Sequence, residues 1–220
     1  MDKKDLCCVD CRTKACEFPE VDNPEYCVSD RISEKKKQEV KKMYIDDEFN
    51  SKVFKISSQL EGNYYCQKTR VEETVMFLDR MGAKNIGVIS CVGTLGEAGI
   101  FSNILREKGF KVIGASCKIG SFDKTEVGIS EEDKICPNKY EPYCNPIMQA
   151  LYMNEQDVDF VVVMGLCVGH DTLLFKYCKK PLTVLFTKDR VTGHNPVAVL
   201  YNAKSYYGKK LKNVDTVNNI

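Results

Sequence analysis

Residues 158–167 read VDFVVVMGLC, a run so apolar and so rich in β-branched residues that it describes a strand buried on both faces. Such a strand sits at the centre of a mainly parallel sheet, which needs helices on either side. Working outward, NIGVIS (85–90), KVIGAS (111–116, with Phe110 ahead of it) and LTVLFT (182–187) are the other strand candidates. Between them lie helical patterns over 97–108, with Ile100, Ile104 and Leu105 as the apolar face, and over 171–178. Another helix starts at Asn145-Pro146, where proline takes the first helical position. Strands alternating with helices predict an α/β fold. The sheet is four-stranded, or five-stranded if 197–201 adds an edge.

Three of these strands run into a cysteine: Cys91, Cys117 and Cys167. With 12 cysteines in 220 residues, that exceeds what an even scatter supplies. In a parallel sheet the three thiols would gather at the carboxyl edge, where open α/β folds bind their ligands. Cys144, just before the helix at Pro146, is a fourth candidate, because helix amino termini favour thiolates. Four sulfurs suit zinc or a [4Fe–4S] cluster, whereas three leave a position open for chemistry. The bland alternative is a set of buried core thiols.

The stretch ahead of the sheet has a different character. Residues 1–30 form a cysteine-rich head with Cys8-x2-Cys11-x4-Cys16-x10-Cys27, in which Cys7 could replace Cys8. Its apolar content is too low for a core, so a metal cross-link is the expected source of order. The spacing matches neither the bacterial ferredoxin run nor a standard zinc finger. A charged helix follows over 33–43 with Ser33 as cap. A second starts after Asp46 or Asp47, with Phe49, Val53, Ile56 and Leu60 in phase and a stop at Gly62. A third begins at the Thr69/Glu72 capping box and buries Val71, Val75, Leu78 and Met81. The division is thus a head (1–30), an α/β domain (31–208) and a polar tail (209–220).

Other reactive residues cluster after the strands. Cys167-Val168-Gly169-His170-Asp171 offers a thiol and an imidazole, with Asp171 either orienting the histidine or capping the helix. Arg190 and His194 follow strand four and would reach the same edge to hold an anion. Glycines 93, 96 and 99 after Cys91 match neither a dinucleotide fingerprint nor a phosphate-binding loop. The 117–143 connection is too long for an ordinary linker and reads as a binding loop or lid. Cys66, Cys136 and Cys178 are assigned structural or peripheral roles.

Charge and composition narrow the partners. A net charge of +1, with 43% hydrophobic and 29% charged residues, gives no reason to expect nucleic acid or an anionic membrane. MDKKDLCC lacks the core of a secretory signal, and no stretch has the ~20 apolar residues of a span. A cytoplasmic protein is expected, in which many cysteines point to metal or redox chemistry rather than disulfides.

Taken together, GLCVGHD (165–171), KDRVTGHNPVAVLY (188–201), CNPIMQA (144–150), CVGTLGEAG (91–99) and the head resemble the DUF1847 family. Its members, common in anaerobic bacteria and archaea, are often labelled metal-binding. The resemblance implies metal without assigning a reaction. Cys8, Cys11, Cys16, Cys27, Cys91, Cys144, Cys167, His170 and His194 fall in the matching motifs. The expected function is metal binding at all-cysteine sites, as zinc or iron–sulfur, with redox or sulfur-transfer chemistry open at the strand ends. Two rivals stand beside it. One is a metal-free enzyme acting on a small anionic or thiol substrate, with Cys91 or Cys167 as nucleophile and His170 as base. The other is a structural-zinc interaction module.

Overall fold

The computed structural model describes residues 6–215. The reading of the first five residues, and of the last five in the tail, lies outside them. The chain divides into two compact units, Met1–Asn63 and Tyr64–Ile220.

The first unit is mostly surface. A 3-10 turn covers Cys8–Asp10, and α1 is Val28–Arg31. In α2 (Glu34–Asp46) Ser33 caps the helix by accepting from Lys36 N–H, as expected, and no residue is buried. The next helix, α3 (Glu48–Tyr64), buries Ile56 and Leu60. It runs through Gly62, where an added Cβ would meet nothing within 4 Å. The stop falls two residues later, before a left-handed Cys66 (φ 56°).

The second unit opens with α4 (Arg70–Arg80), whose capping box joins Thr69 and Glu72 reciprocally. Thr74 and Leu78 are its buried residues, while Val71 is exposed. Four strands follow: β1 (Asn85–Ser90), β2 (Lys111–Ser116), β3 (Phe160–Met164) and β4 (Leu182–Phe186). All pair in parallel, in the order β2-β1-β3-β4. The protein is therefore an α/β protein with a four-stranded parallel sheet. Every residue of β3 is buried, and each fully buried valine contributes roughly 1.5–3 kcal/mol.

Helices cover both faces. On one, α6 (Pro146–Glu155) and α7 (His170–Tyr177) bring Ala150, Met153 and Leu174 onto Ile89, Ala115, Val161 and Val163. On the other, Phe77 of α4 meets Phe160 edge-on at 5.6 Å. Between β1 and β2, α5 (Leu95–Glu107) buries Ala98, Phe101, Ser102 and Leu105. Ile100, expected inside, is 66% exposed. The helix starts straight after a 3-10 turn at Val92–Thr94, two residues early, and inserts on Phe101 instead.

One expectation fails at the carboxyl end. Residues 197–201 form a helix, α8 (Val197–Tyr201), so the sheet has no fifth strand among the described residues. Left-handed Gly193 and His194 turn the chain, and Pro196, already in helical conformation, starts the next turn. The segment expected to be a polar tail carries a further short helix, α9 (Gly208–Lys212).

Candidate functional site

In a parallel sheet every strand delivers its following residue to the same edge. Cys91 follows β1, Cys117 follows β2, and Cys167 comes three residues after β3. Between β3 and Cys167 the chain turns at Gly165 (φ 62°), where an added Cβ would lie 2.7 Å from Thr94. Cys144 arrives by a different route. The N–H of Asn145 donates to Cys117 O at 2.7 Å, which brings the start of α6 beside the end of β2. Asn145 then caps that helix by accepting from Met148 N–H, with Pro146 at the first helical position as expected.

The sulfurs meet in sequence. Cys91 and Cys117 Sγ are 3.9 Å apart, and both residues are buried. Cys117 accepts a hydrogen bond from Val92 N–H at 3.2 Å. The Cys117 Sγ–H is directed at Cys91 Sγ, and the interaction with Cys144, with burial, raises the Cys117 thiol well above the ordinary range. The same interaction holds the half-buried Cys144 well below that range, assisted by the positive charges of Lys118 and His170. Arg190 Nη2 donates to Cys167 Sγ at 3.3 Å, and the charges of Cys167, Cys91 and Cys144 all favour its protonated form. Lys188 crosses above Gly93: a Cβ there would lie 3.0 Å from its Nζ and 4.0 Å from Cys91 Sγ.

His170 opens α7, and its charge is one of the smaller influences that lower Cys144. Asp171 does not cap that helix. Gly169 holds the cap position, and Asp171 Oδ1 accepts from Thr172 N–H. His194 shapes the Arg190 loop: its Nδ1 accepts from Asp189 N–H at 3.1 Å and its ring lies 5.2 Å from Phe186. Asp189 Oδ1 in turn accepts from Val191 and Thr192 N–H, closing the turn that presents Arg190.

The long 117–143 connection is tied to itself. Lys134 Nζ sits 2.7 Å from Asp123 and 2.8 Å from Glu131, with only 2% of its side chain exposed, and Lys124 pairs with Glu141 at 2.6 Å. Lys118 Nζ donates to Pro142 O across its base. Sequence reasoning overlooked Lys118, although its position directly after a strand-end cysteine was a usable signal.

The head is looser. Cys7 Sγ donates to Asp10 at 3.4 Å, and Cys11 Sγ lies 3.4 Å from Thr13 Oγ1, a contact that lowers the Cys11 thiol. Cys8 and Cys16 are exposed, and Cys27 is half-buried ahead of α1. All twelve cysteines are free thiols. Among the described residues no three His, Cys, Asp or Glu side chains stand together closely enough to hold a metal ion as they are. The Cys91–Cys117 separation nevertheless suits a shared ion. Two sulfurs bound tetrahedrally to zinc at 2.3 Å are about 3.8 Å apart.

With this geometry established, a family model described as a protein of unknown function, DUF1847, matches residues 27–185. The chain belongs to the DUF1847 family. The matched span holds Cys27, Cys91, Cys117, Cys144, Cys167 and His170, while Cys8, Cys11, Cys16, Arg190 and His194 lie beyond it. Among curated proteins, the uncharacterized protein MJ0455 of Methanocaldococcus jannaschii is 38% identical over 204 residues, covering 93% of this chain and 97% of its own. No helix among the described residues is long and apolar enough to cross a membrane.

Proposed function

We propose that this DUF1847 protein binds a thiophilic metal at the carboxyl edge of its sheet, through Cys91, Cys117, Cys144 and Cys167. The observation that supports the reading is that three strand ends and one helix start bring cysteines to one edge of the sheet, with Cys91 and Cys117 spaced as two ligands of one tetrahedral ion. That spacing suits zinc more directly than an iron–sulfur cluster, whose ligands bind separate irons. A zinc ion with four thiolates carries a net charge of −2 in a partly buried site. Arg190, Lys118, Lys188 and His170 are the cations that would offset it. The bound metal would supply Lewis acidity or redox capacity there. Cys144 and Cys167 are the more exposed sulfurs, so a small anionic or thiol substrate would meet them first.

Cys8, Cys11, Cys16 and Cys27 form a second four-thiol set, in a segment where Ala15 is the only buried residue between 6 and 32. A metal cross-link would supply the order that burial does not. A cytoplasmic, reducing location belongs to the same reading.

One observation favours a rival. A thiolate at Cys144 with an imidazole nearby is also the arrangement of a metal-free cysteine enzyme, with Cys144 rather than Cys91 or Cys167 as its nucleophile and His170 beside it. Anaerobic purification followed by elemental analysis separates the two. Zinc in a colourless protein, or iron with absorbance at about 400 nm, supports metal binding. The stoichiometry should fall by one site in Cys117→Ser and Cys144→Ser. A protein free of metal as isolated, which takes up neither zinc nor iron on reconstitution, would overturn the proposal.

A further inference from the structure

Gln149 lies in the first turn of α6 and is fully buried. Its Nε2 donates to Ser90 O at 3.0 Å and to Ala115 O at 2.8 Å. Ser90 is the residue before Cys91, and Ala115 lies two before Cys117. The helix that carries Gln149 begins directly after Cys144, whose successor, Asn145, is bonded to Cys117 O. One amide therefore links all three segments that bring the contacting sulfurs together. Its other end is an anomaly: Oε1 is buried and has no hydrogen-bond partner. Turning the amide over would set its oxygen against two carbonyl oxygens, so the network fixes this orientation. A methionine would fill nearly the same volume without an orphaned acceptor, so packing alone does not account for glutamine here.

We infer that Gln149 is the positioning residue of the cysteine site, clipping the ends of β1 and β2 so that Cys91, Cys117 and Cys144 stay in contact. This rests on the reading of the strand-end cysteines as the functional site, but it concerns thiol spacing and is measurable without metal. Its two hydrogen bonds go to backbone carbonyls and not to a sulfur. It acts through the two strand ends, whose separation sets that of the thiols.

The test uses the full-length, metal-stripped protein and the variants Gln149→Met, which keeps volume and loses both donors, and Gln149→Asn, which keeps the amide but is one methylene short. Diamide oxidation followed by peptide mapping reads the rate of disulfide formation by Cys117 with Cys91 or Cys144. Cobalt(II) titration of the same proteins reads the thiolate charge-transfer band. In variants that still melt cooperatively, the disulfide rate should fall at least tenfold. Cobalt affinity should fall about 10–100-fold, as when the supporting partner of a metal ligand is lost. Folded variants that oxidise at the wild-type rate would overturn the inference, as would a wild-type protein that forms neither disulfide. If Gln149→Met does not fold, Gln149→Asn decides; if neither folds, Gln149 is a structural residue and the inference fails. A wild type that binds no cobalt yet oxidises rapidly, with slow variants, sinks the metal reading and leaves this one standing.

Discussion

Cys144 and Cys117 illustrate how a mutual interaction divides two neighbouring thiols. Cys117 is raised and Cys144 lowered, so the pair behaves as one reluctant thiol and one thiolate, and Lys118 and His170 reinforce the charge on Cys144. A depressed thiol pKa means the nucleophilic form is complete above the shifted value and lost only as pH falls through it. In the metal-stripped protein, the alkylation rate of Cys144 should therefore be flat from about pH 7 to 9, where an ordinary thiol's rate climbs steeply below its pKa of ~8.5. Iodoacetamide labelling with peptide mapping checks this, and Lys118→Met should restore part of the climb. A Cys144 rate that still rises steeply through pH 8 would contradict the assignment. Gly165 carries a separate consequence. An alanine there would combine a left-handed backbone with a Cβ 2.7–2.9 Å from Thr94 and Phe186. Gly165→Ala should cost about 2–4 kcal/mol, read from the urea midpoint.

At the scale of elements, the strands were legible because period and composition agreed: β1 falls on the expected residues, and β3, β2 and β4 shift by no more than two. Caps were equally legible, since Ser33, Thr69/Glu72 and Asn145-Pro146 act through local hydrogen bonds that need no tertiary context. Residues 197–201 were misread because VAVLY is too short for periodicity to separate helix from strand. The convergence of the cysteines was legible from strand ends. The roles of Gln149 and Lys188 depend on contacts between distant segments and were not, while Lys118 had only its place after Cys117 to signal it. The 117–143 loop, expected as a binding loop or lid, has its own ties. The Asp123, Glu131 and Glu141 carboxyls are lowered, so their contribution is present above the ordinary carboxylate range and lost as pH falls through the lowered values. Lys134 is raised, so its contribution is complete below the ordinary lysine value and lost only as pH rises through the raised one. The ties thus persist between about pH 5 and 10. Hydrogen exchange in residues 122–141, corrected for intrinsic rates, should be constant from about pH 6 to 9. It should accelerate in Lys134→Met, where two carboxylates lose a shared and nearly buried partner, while β1 and β3 remain protected.

At the scale of the whole molecule, the two units differ in what could hold them. Residues 64–220 contain the parallel sheet and both helical layers, and nearly all of the buried apolar residues. Residues 1–63 bury only Ala15, Ile56 and Leu60 among those described, yet carry five of the twelve cysteines. If a thiol-bound metal supplies the missing order, it should do so locally. A chain beginning at Tyr64 should then fold cooperatively, because the sheet's core is complete within it. That truncated chain should keep the strand-end metal and lose any metal held by Cys8, Cys11, Cys16 and Cys27. In the full-length protein, Cys11→Ser or Cys16→Ser should lower metal content by one site and open the first thirty residues to protease, with the melting of the sheet unchanged. Elemental analysis beside limited proteolysis decides the matter: metal content unaltered by Cys11→Ser, Cys16→Ser and the truncation would leave the strand-end cysteines as the protein's sole metal ligands.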